Sequence, residues 1–273
     1  MANSNYYRLK KFRLYSSEYS RQSWNDPFVI EISKIARSDY GCFRIINRFF
    51  TEHRQNNEDR LTIERRLESL REEQIDIDEV SVNRYQFKLL KDMIVSLFEN
   101  SSVNEKKYLS IYCSYLEYIT MLWKKIPGID GKVYFEPTIK YDGRKMFYNL
   151  PYSDSKCDIV FRNSRNKEFS FYECKFGLSM FLNHLGRNEA TVTSNGFRRK
   201  IRKAKKKVNY LKEFKNIIST PMHSNINSQI SHVAIVSFTS RNSILSQLHL
   251  LNGIELITRD ELEEQEVYSQ IRS

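Results

Sequence analysis

Asp158, Glu173 and Lys175 are the residues of this chain whose types and spacing best suit chemistry. Glu173-Cys174-Lys175 ends an aromatic run, Phe169-Ser170-Phe171-Tyr172. In a strand, alternate side chains share a face, so Phe169, Phe171, Glu173 and Lys175 point one way and Ser170, Tyr172, Cys174 and Phe176 the other. A carboxylate and an ammonium therefore meet at the end of an apolar strand. The strand-like run before it, residues 157–162, puts Asp158 and Val160 on one face. Asn163-Ser164-Arg165-Asn166-Lys167 reads as the loop of a hairpin, which brings Asp158 beside Glu173 and Lys175. Neighbouring carboxylates repel unless a cation sits between them, and hard oxygen ligands favour Mg²⁺ or Mn²⁺. Lys175 then stands where it can orient a water or stabilise charge on a phosphate. A Glu–Lys pair two apart on a strand is otherwise a surface ion pair worth little, so the weight falls on its surroundings.

The elements that must position these residues change character along the chain. Residues 1–103 read mainly as helix. The stretch 57–73 is dense in Glu and Arg with sparse leucines (Leu61, Leu67, Leu70), as in a well-solvated helix on one side of a helical hairpin. In 82–98, Leu90, Ile94 and Leu97 fall on one face, and Glu99-Asn100-Ser101-Ser102 reads as a stop. Residues 107–125 form a further helix candidate with Tyr108, Ile111, Tyr115, Ile119 and Leu122 in step. Pro127-Gly128-Ile129-Asp130-Gly131 ends it by turn chemistry. Strand-like runs follow at 133–139, 157–162 and 169–176; Pro137 in the first suits an edge strand or a bulge. A helix candidate at 196–215 precedes strand-like runs at 232–238 and 253–257. This order is that of an α/β domain. The expected division is a mainly helical region over 1–103 and an α/β domain over 104–273.

Charge points to a polyanionic partner. The chain carries 44 Lys and Arg against 33 Asp and Glu, a net charge of +11. Residues 196–215 hold ten of the basic residues and one acid, Glu213. Their apolar members, Phe197, Ile201, Ala204, Val208 and Leu211, form a stripe suited to packing on a sheet. Charge runs are usually solvated faces, but ten like charges on one helix repel unless a polyanion is near. Arg198, Arg199, Arg202, Lys203 and Lys206 are the expected phosphate contacts, which release counterions and give salt-sensitive binding without reading sequence. A membrane-surface role for this helix fits less well, because the stripe suits a sheet equally and its apolar residues are not large. Residues 176–195 read as a loop beside the site, where His184 could assist chemistry; a lone histidine is more often a packing or solvent-facing group. The four cysteines, Cys42, Cys113, Cys157 and Cys174, include no CxxC pair or zinc spacing and read as reduced thiols. No apolar run is long enough to span a bilayer and no apolar segment follows the first residues as in a signal peptide, so a cytoplasmic protein is expected.

Asp158, fourteen intervening residues and Glu173-Cys174-Lys175 resemble the D…ExK pattern of the PD-(D/E)xK nuclease superfamily, which includes restriction endonucleases. The resemblance implies an α/β, restriction-endonuclease-like core: a mixed central sheet flanked by helices, preceded here by the mainly helical N-terminal region. It implies Asp158 and Glu173 as metal ligands, the Cys174 backbone carbonyl as a third, and Lys175 as the catalytic lysine. Many members draw a further acidic residue from a helix before the core. Glu117 is the match, and Glu136 competes with it. Cys157 stands where the superfamily's name has Pro, and the nearest upstream proline is Pro151. By order of elements the resemblance extends over about residues 106–262. It implies a Mg²⁺-dependent endonuclease, with Mn²⁺ able to substitute, that hydrolyses phosphodiester bonds with DNA as the expected substrate, in restriction or phage defence. Residues 1–103 would recognise DNA, form a homodimer, or dock on a helicase, ATPase or methylase subunit. The alternative is a catalytically silent module of the same fold that grips nucleic acid or a partner protein; the intact Asp, Glu and Lys weigh against it.

Overall fold

The computed structural model describes residues 11–16, 25–124, 131–163, 168–219, 232–251 and 253–273. All but the first residue of the loop expected at 163–167, and all but the last of the turn expected from Pro127 to Gly131, lie outside them. The chain forms two units, each discontinuous in sequence: Arg21–Ile126 with Thr258–Ser273, and Met1–Ser20 with Pro127–Ile257.

The first unit is helical, built from α1 (Pro27–Ser38), α2 (Tyr40–Glu52), α3 (Arg60–Asp76), α4 (Arg84–Glu99) and α5 (Glu105–Lys124), with two short helices, Arg259–Leu262 and Gln265–Arg272, at the chain's end. A helix start leaves backbone N–H groups open, and Asp or Asn side chains close them. Asp26 accepts from Phe28 N at 3.0 Å, Asp39 from Cys42 N at 2.8 Å, and Asp59 from Thr62 N at 3.0 Å. Asn83 accepts from Tyr85 N and Gln86 N. The charged helix α3 packs on α2 and α4, burying Ile63, Leu67, Leu70 and Gln74. Its Arg66 reaches Glu52 and Glu73.

The division expected near residue 103 is displaced. The aromatic stripe of α5 belongs to the helical core, where Tyr108, Tyr112 and Tyr115 surround Phe50. The C-terminal segment returns to the same unit. Tyr268 packs on Tyr40 and Phe43, and its hydroxyl donates to the carbonyls of Ala36 and Arg37. A sequence split at one point cannot represent a unit closed by residues from both sides of another.

The second unit holds β1 (Phe12–Tyr15), β2 (Gly131–Phe135), β3 (Thr138–Tyr141), β4 (Arg144–Lys145), β5 (Ile159–Asn163), β6 (Glu168–Cys174), α6 (Leu178–Gly186), α7 (Asn195–Ser219), β7 (Val233–Val236) and β8 (Glu255–Ile257). β1 lies in a stretch expected to be helix; four residues are too few for a period to show. It forms a three-stranded sheet in the order β1-β3-β4. Asp142 and Gly143, with φ of 50° and 81°, make the two-residue turn between β3 and β4; positive φ at both centres is what such tight hairpins need.

The main sheet has the order β2-β5-β6-β7-β8. Its first two pairings are antiparallel and its last two parallel, so the sheet is mixed and changes sense at β6. The strand expected over 133–139 is two strands in two sheets. The chain turns at Glu136, φ 36°, and at Pro137, which lacks a ladder N–H; β2 becomes the sheet's edge. The parallel pair β6–β7 needs a crossover, which α6 and α7 supply. α7 buries Ile201 and places Ala204, Val208, Leu211 and Phe214 in a core with Val160, Phe169, Phe171, Val233 and Ile235. Phe214 stacks on Phe171 with ring centroids 4.1 Å apart. Each large apolar side chain buried there contributes about 1.5–3 kcal/mol by leaving water.

In the helical unit, Glu263 is buried beside Arg44, Arg259 and Asn47. Burial lifts its carboxyl from 4.5 to about 7, against the pull of Arg259, Arg44, Arg48 and the Asn47 amide. Between those two values the folded chain holds a proton that the unfolded chain has released, so this group's contribution to stability falls as pH rises through that window. Urea midpoints measured across the window should decline for wild type and decline less for Glu263→Gln; parallel curves would refute the assignment.

Candidate active site

Pairing along β5 and β6 sets the site. Ile159 lies opposite Tyr172 and Val160 opposite Phe171, so the residue before the first pair, Asp158, arrives at the Glu173 end of β6. Its carboxylate accepts from the Cys174 N–H at 2.7 Å, and its carbonyl accepts from Glu136 N at 2.9 Å. Beyond the last strand residue, Lys175 N donates to the Val236 carbonyl at 2.8 Å, which keeps Lys175 in line with the sheet. Phe169, Phe171 and Glu173 share the face packed under α7, and Glu173 is fully buried.

Lys175 Nζ bonds Glu173 Oε1, lies 3.3 Å from the Cys174 carbonyl oxygen and 4.0 Å from Asp158 Oδ2. A second ammonium comes from α7: Lys207 Nζ is 2.8 Å from Glu173 Oε2 and also donates to the Lys156 carbonyl. The expected trio is thus brought together, and Lys207 joins it. Ala204 and Leu211 lie three residues before and four after Lys207, so it projects from the edge of the apolar stripe rather than from the solvated face. A cation at that position is the signal in the sequence.

Four charges in little water set the protonation states. Burial, helped by the charge of Glu173, raises the Asp158 carboxyl to about 6, against Lys175, Lys207 and the Cys174 N–H. Burial also opposes ionisation of Glu173, but Lys175 and Lys207 outweigh it and hold its carboxyl below the ordinary value. Both ammoniums lose hydration too, yet Glu173 and Asp158 more than compensate and raise their pKa values.

The oxygens that could hold a divalent cation are the Asp158 and Glu173 carboxylates and the Cys174 carbonyl. The Lys175 ammonium faces all three, so they converge on a point where positive charge is stabilised. Mg²⁺ commonly takes one or two protein carboxylates and completes its shell with water and phosphate, and this set fits that habit. Among the described residues no group of three or more His, Cys, Asp or Glu side chains could hold a metal ion; the third donor here is a backbone carbonyl.

Glu117 lies on α5, in the helical unit. Glu136, the competing acid, lines a cleft of about 450 Å³ together with Asp158, Lys156, Lys203, Lys206 and Lys207. Of the five expected phosphate contacts, Lys203 and Lys206 therefore stand beside Asp158. Arg199 is exposed. Arg202 pairs with Glu189, and Arg198 donates to the Val192 carbonyl; both brace the segment before α7. That segment is not the loop expected over 176–195, since α6 and a short turn at Glu189–Thr191 occupy it. His184 is buried, with its ring edge-on to Phe197 at 5.0 Å. Burial and the charges of Lys200 and Arg187 lower its pKa, and the ring packs between α6 and α7. No helix among the described residues is long and apolar enough to cross a membrane.

No protein-family model, no curated protein and no solved structure matches this chain.

Proposed function

We propose that the sheet unit is a nuclease core of the PD-(D/E)xK type and that the chain is a divalent-metal-dependent endonuclease acting on DNA. The observation that carries this reading is the meeting of Asp158, Glu173 and Lys175 at the carboxyl end of β6, beside a cleft lined by Lys203 and Lys206. Ligand sites of open α/β sheets lie outside the carboxyl ends of strands. Here the sheet changes from antiparallel to parallel at β6. The order of elements supports the finer reading of a restriction-endonuclease-like core: three antiparallel strands, a helical crossover, then two parallel strands.

Asp158, Glu173 and the Cys174 carbonyl would hold the ion. Bound there, Mg²⁺ or Mn²⁺ supplies Lewis acidity and lowers the pKa of a water. Lys175, held in line with the sheet by its backbone bond to Val236, directs an ammonium at that water or at a phosphate oxygen. Lys203 and Lys206 take the neighbouring phosphates as the strand passes along α7. These contacts hold the backbone and read no bases. A restriction or phage-defence setting suits such an enzyme.

Purified chain should cut plasmid DNA in Mg²⁺ or Mn²⁺ and not in EDTA. Asp158→Ala and Lys175→Ala should each lower the rate by about 100-fold or more. Linear duplex, single-stranded DNA and RNA in the same assay fix the substrate class. Wild-type rates in Lys175→Ala would sink the mechanism. Salt-sensitive binding without cutting of any substrate would point to a silent binding module instead.

The two cleft lysines have a separate signature. Removing one phosphate-binding cation should lower the slope of log K against log salt by about 1. Lys203→Ala with Lys206→Ala should therefore flatten the salt dependence of duplex binding by about 2 while leaving sequence preference unchanged. An unchanged slope would place the strand elsewhere.

A further inference from the structure

Both oxygens of the Glu173 carboxylate carry an ammonium: Lys175 on Oε1 and Lys207 on Oε2. With Asp158, the cluster holds two negative and two positive charges, so it is balanced as it stands. A divalent cation at a Glu173 oxygen competes there with an ammonium, and its arrival adds two charges that nothing in the cluster offsets. The two lysines differ in where they can go. Lys175 stays within the cluster, with the Cys174 carbonyl at 3.3 Å and Asp158 at 4.0 Å, and the proposed chemistry keeps it beside the reacting water. Lys207 comes from α7 and lines the open cleft with Lys203 and Lys206, where a strand's phosphates would lie. Its four-carbon stem and compact charge allow it to change partner.

We propose that Lys207 guards the Glu173 carboxylate: it occupies an oxygen that a divalent cation needs, and it moves to a backbone phosphate when a nucleic-acid strand lies in the cleft. Strand binding and metal loading then strengthen each other, and linkage makes the coupling reciprocal. The metal-free, strand-free protein is held closed, and an ion loads where there is something to cut. Lys207 is thus a positioning residue that acts through Glu173. The inference rests on the metal-dependent reading above.

The test is Mn²⁺ binding to the full chain by titration calorimetry, with and without a short DNA duplex. Without DNA, Lys207→Met should bind Mn²⁺ about tenfold more tightly than wild type, within the usual range of coupling between sites. Lys206→Met removes the same charge from the same cleft without touching Glu173, so it should move the affinity much less. Duplex should tighten Mn²⁺ binding by wild type about tenfold and by Lys207→Met clearly less. Should Lys207→Met fail to fold, Lys207→Gln makes the same comparison while keeping a donor for the Lys156 carbonyl. Equal Mn²⁺ affinity in wild type and the Lys207 variant, or an equal gain from Lys206→Met, overturns the role of Lys207 and leaves the metal site standing. No Mn²⁺ binding by any of them, with or without duplex, overturns the metal reading and this inference together.

Discussion

Glu173 is a fully buried carboxylate at the end of an apolar strand, and the sheet unit is arranged around keeping it charged. An isolated ion in such a place would cost several kcal/mol and would take up a proton instead. Two ammoniums prevent that. One comes from two residues along the same strand and needs only the strand to be made. The other comes from a helix far along the chain and needs the whole crossover to be folded. Glu173 is therefore tied to tertiary structure through Lys207 in a way that Asp158 is not, since Asp158 takes its anchor from the backbone N–H of Cys174. The two acids consequently differ in character. Glu173 is held ionised by its partners, whereas Asp158, less well compensated, is pushed toward protonation.

α7 reconciles two demands that usually conflict. As the crossover between parallel strands it must present an apolar face, and Ile201, Ala204, Val208, Leu211 and Phe214 do so. As the most basic segment of the chain it must keep its cations in water or against anions. Lys207 sits where the two faces meet and turns a packing boundary into part of the site. Two acids near the helix are engaged elsewhere: Glu189 with Arg202, and Glu213 with the Tyr152 hydroxyl at 3.0 Å. Lys203 and Lys206 face a cleft that Asp154, Asp158 and Glu136 also line. A polyanion entering there meets attraction along the helix, while the Glu173 and Asp158 carboxylates beyond it are already faced by Lys175 and Lys207.

How legible this is in the sequence depends on whether a feature is local. The strand alternation that sets Glu173 and Lys175 on one face, the hairpin partner that delivers Asp158, and the stripe of α7 are short-range patterns, and the structure repeats them. Lys207 is one of ten basic residues in its helix, and nothing in the charge count singles it out. Period identifies the face that packs but not what a long side chain reaches at its border. Pro137 marks 133–139 as an edge or a bulge, but nothing local says that the halves join different sheets. The unit boundary falls beyond residue 103 because α5 carries an apolar stripe that suits either unit, and the choice is made by Phe50 and the returning C-terminal helices. His184 illustrates the converse: the sequence offers a titratable ring, and burial against Phe197 makes it a packing group.

The turn at Glu136 connects the division of the sheets with the site. A non-glycine residue in the left-handed region costs on the order of 1 kcal/mol, and it persists where its surroundings fix it. Glu136 N donates to the Asp158 carbonyl, so the residue that bends the chain away from β2 also clamps the backbone that carries the first acid. The bend leaves β2 and β3 in separate sheets and sets Glu136 on the wall of the cleft beside Asp158. An undistorted strand through 133–139 would continue the edge of the main sheet past Asp158, on the side where the cleft now opens. The local strain at Glu136 thus serves access: it holds Asp158 in register with Glu173 while turning the edge strand aside.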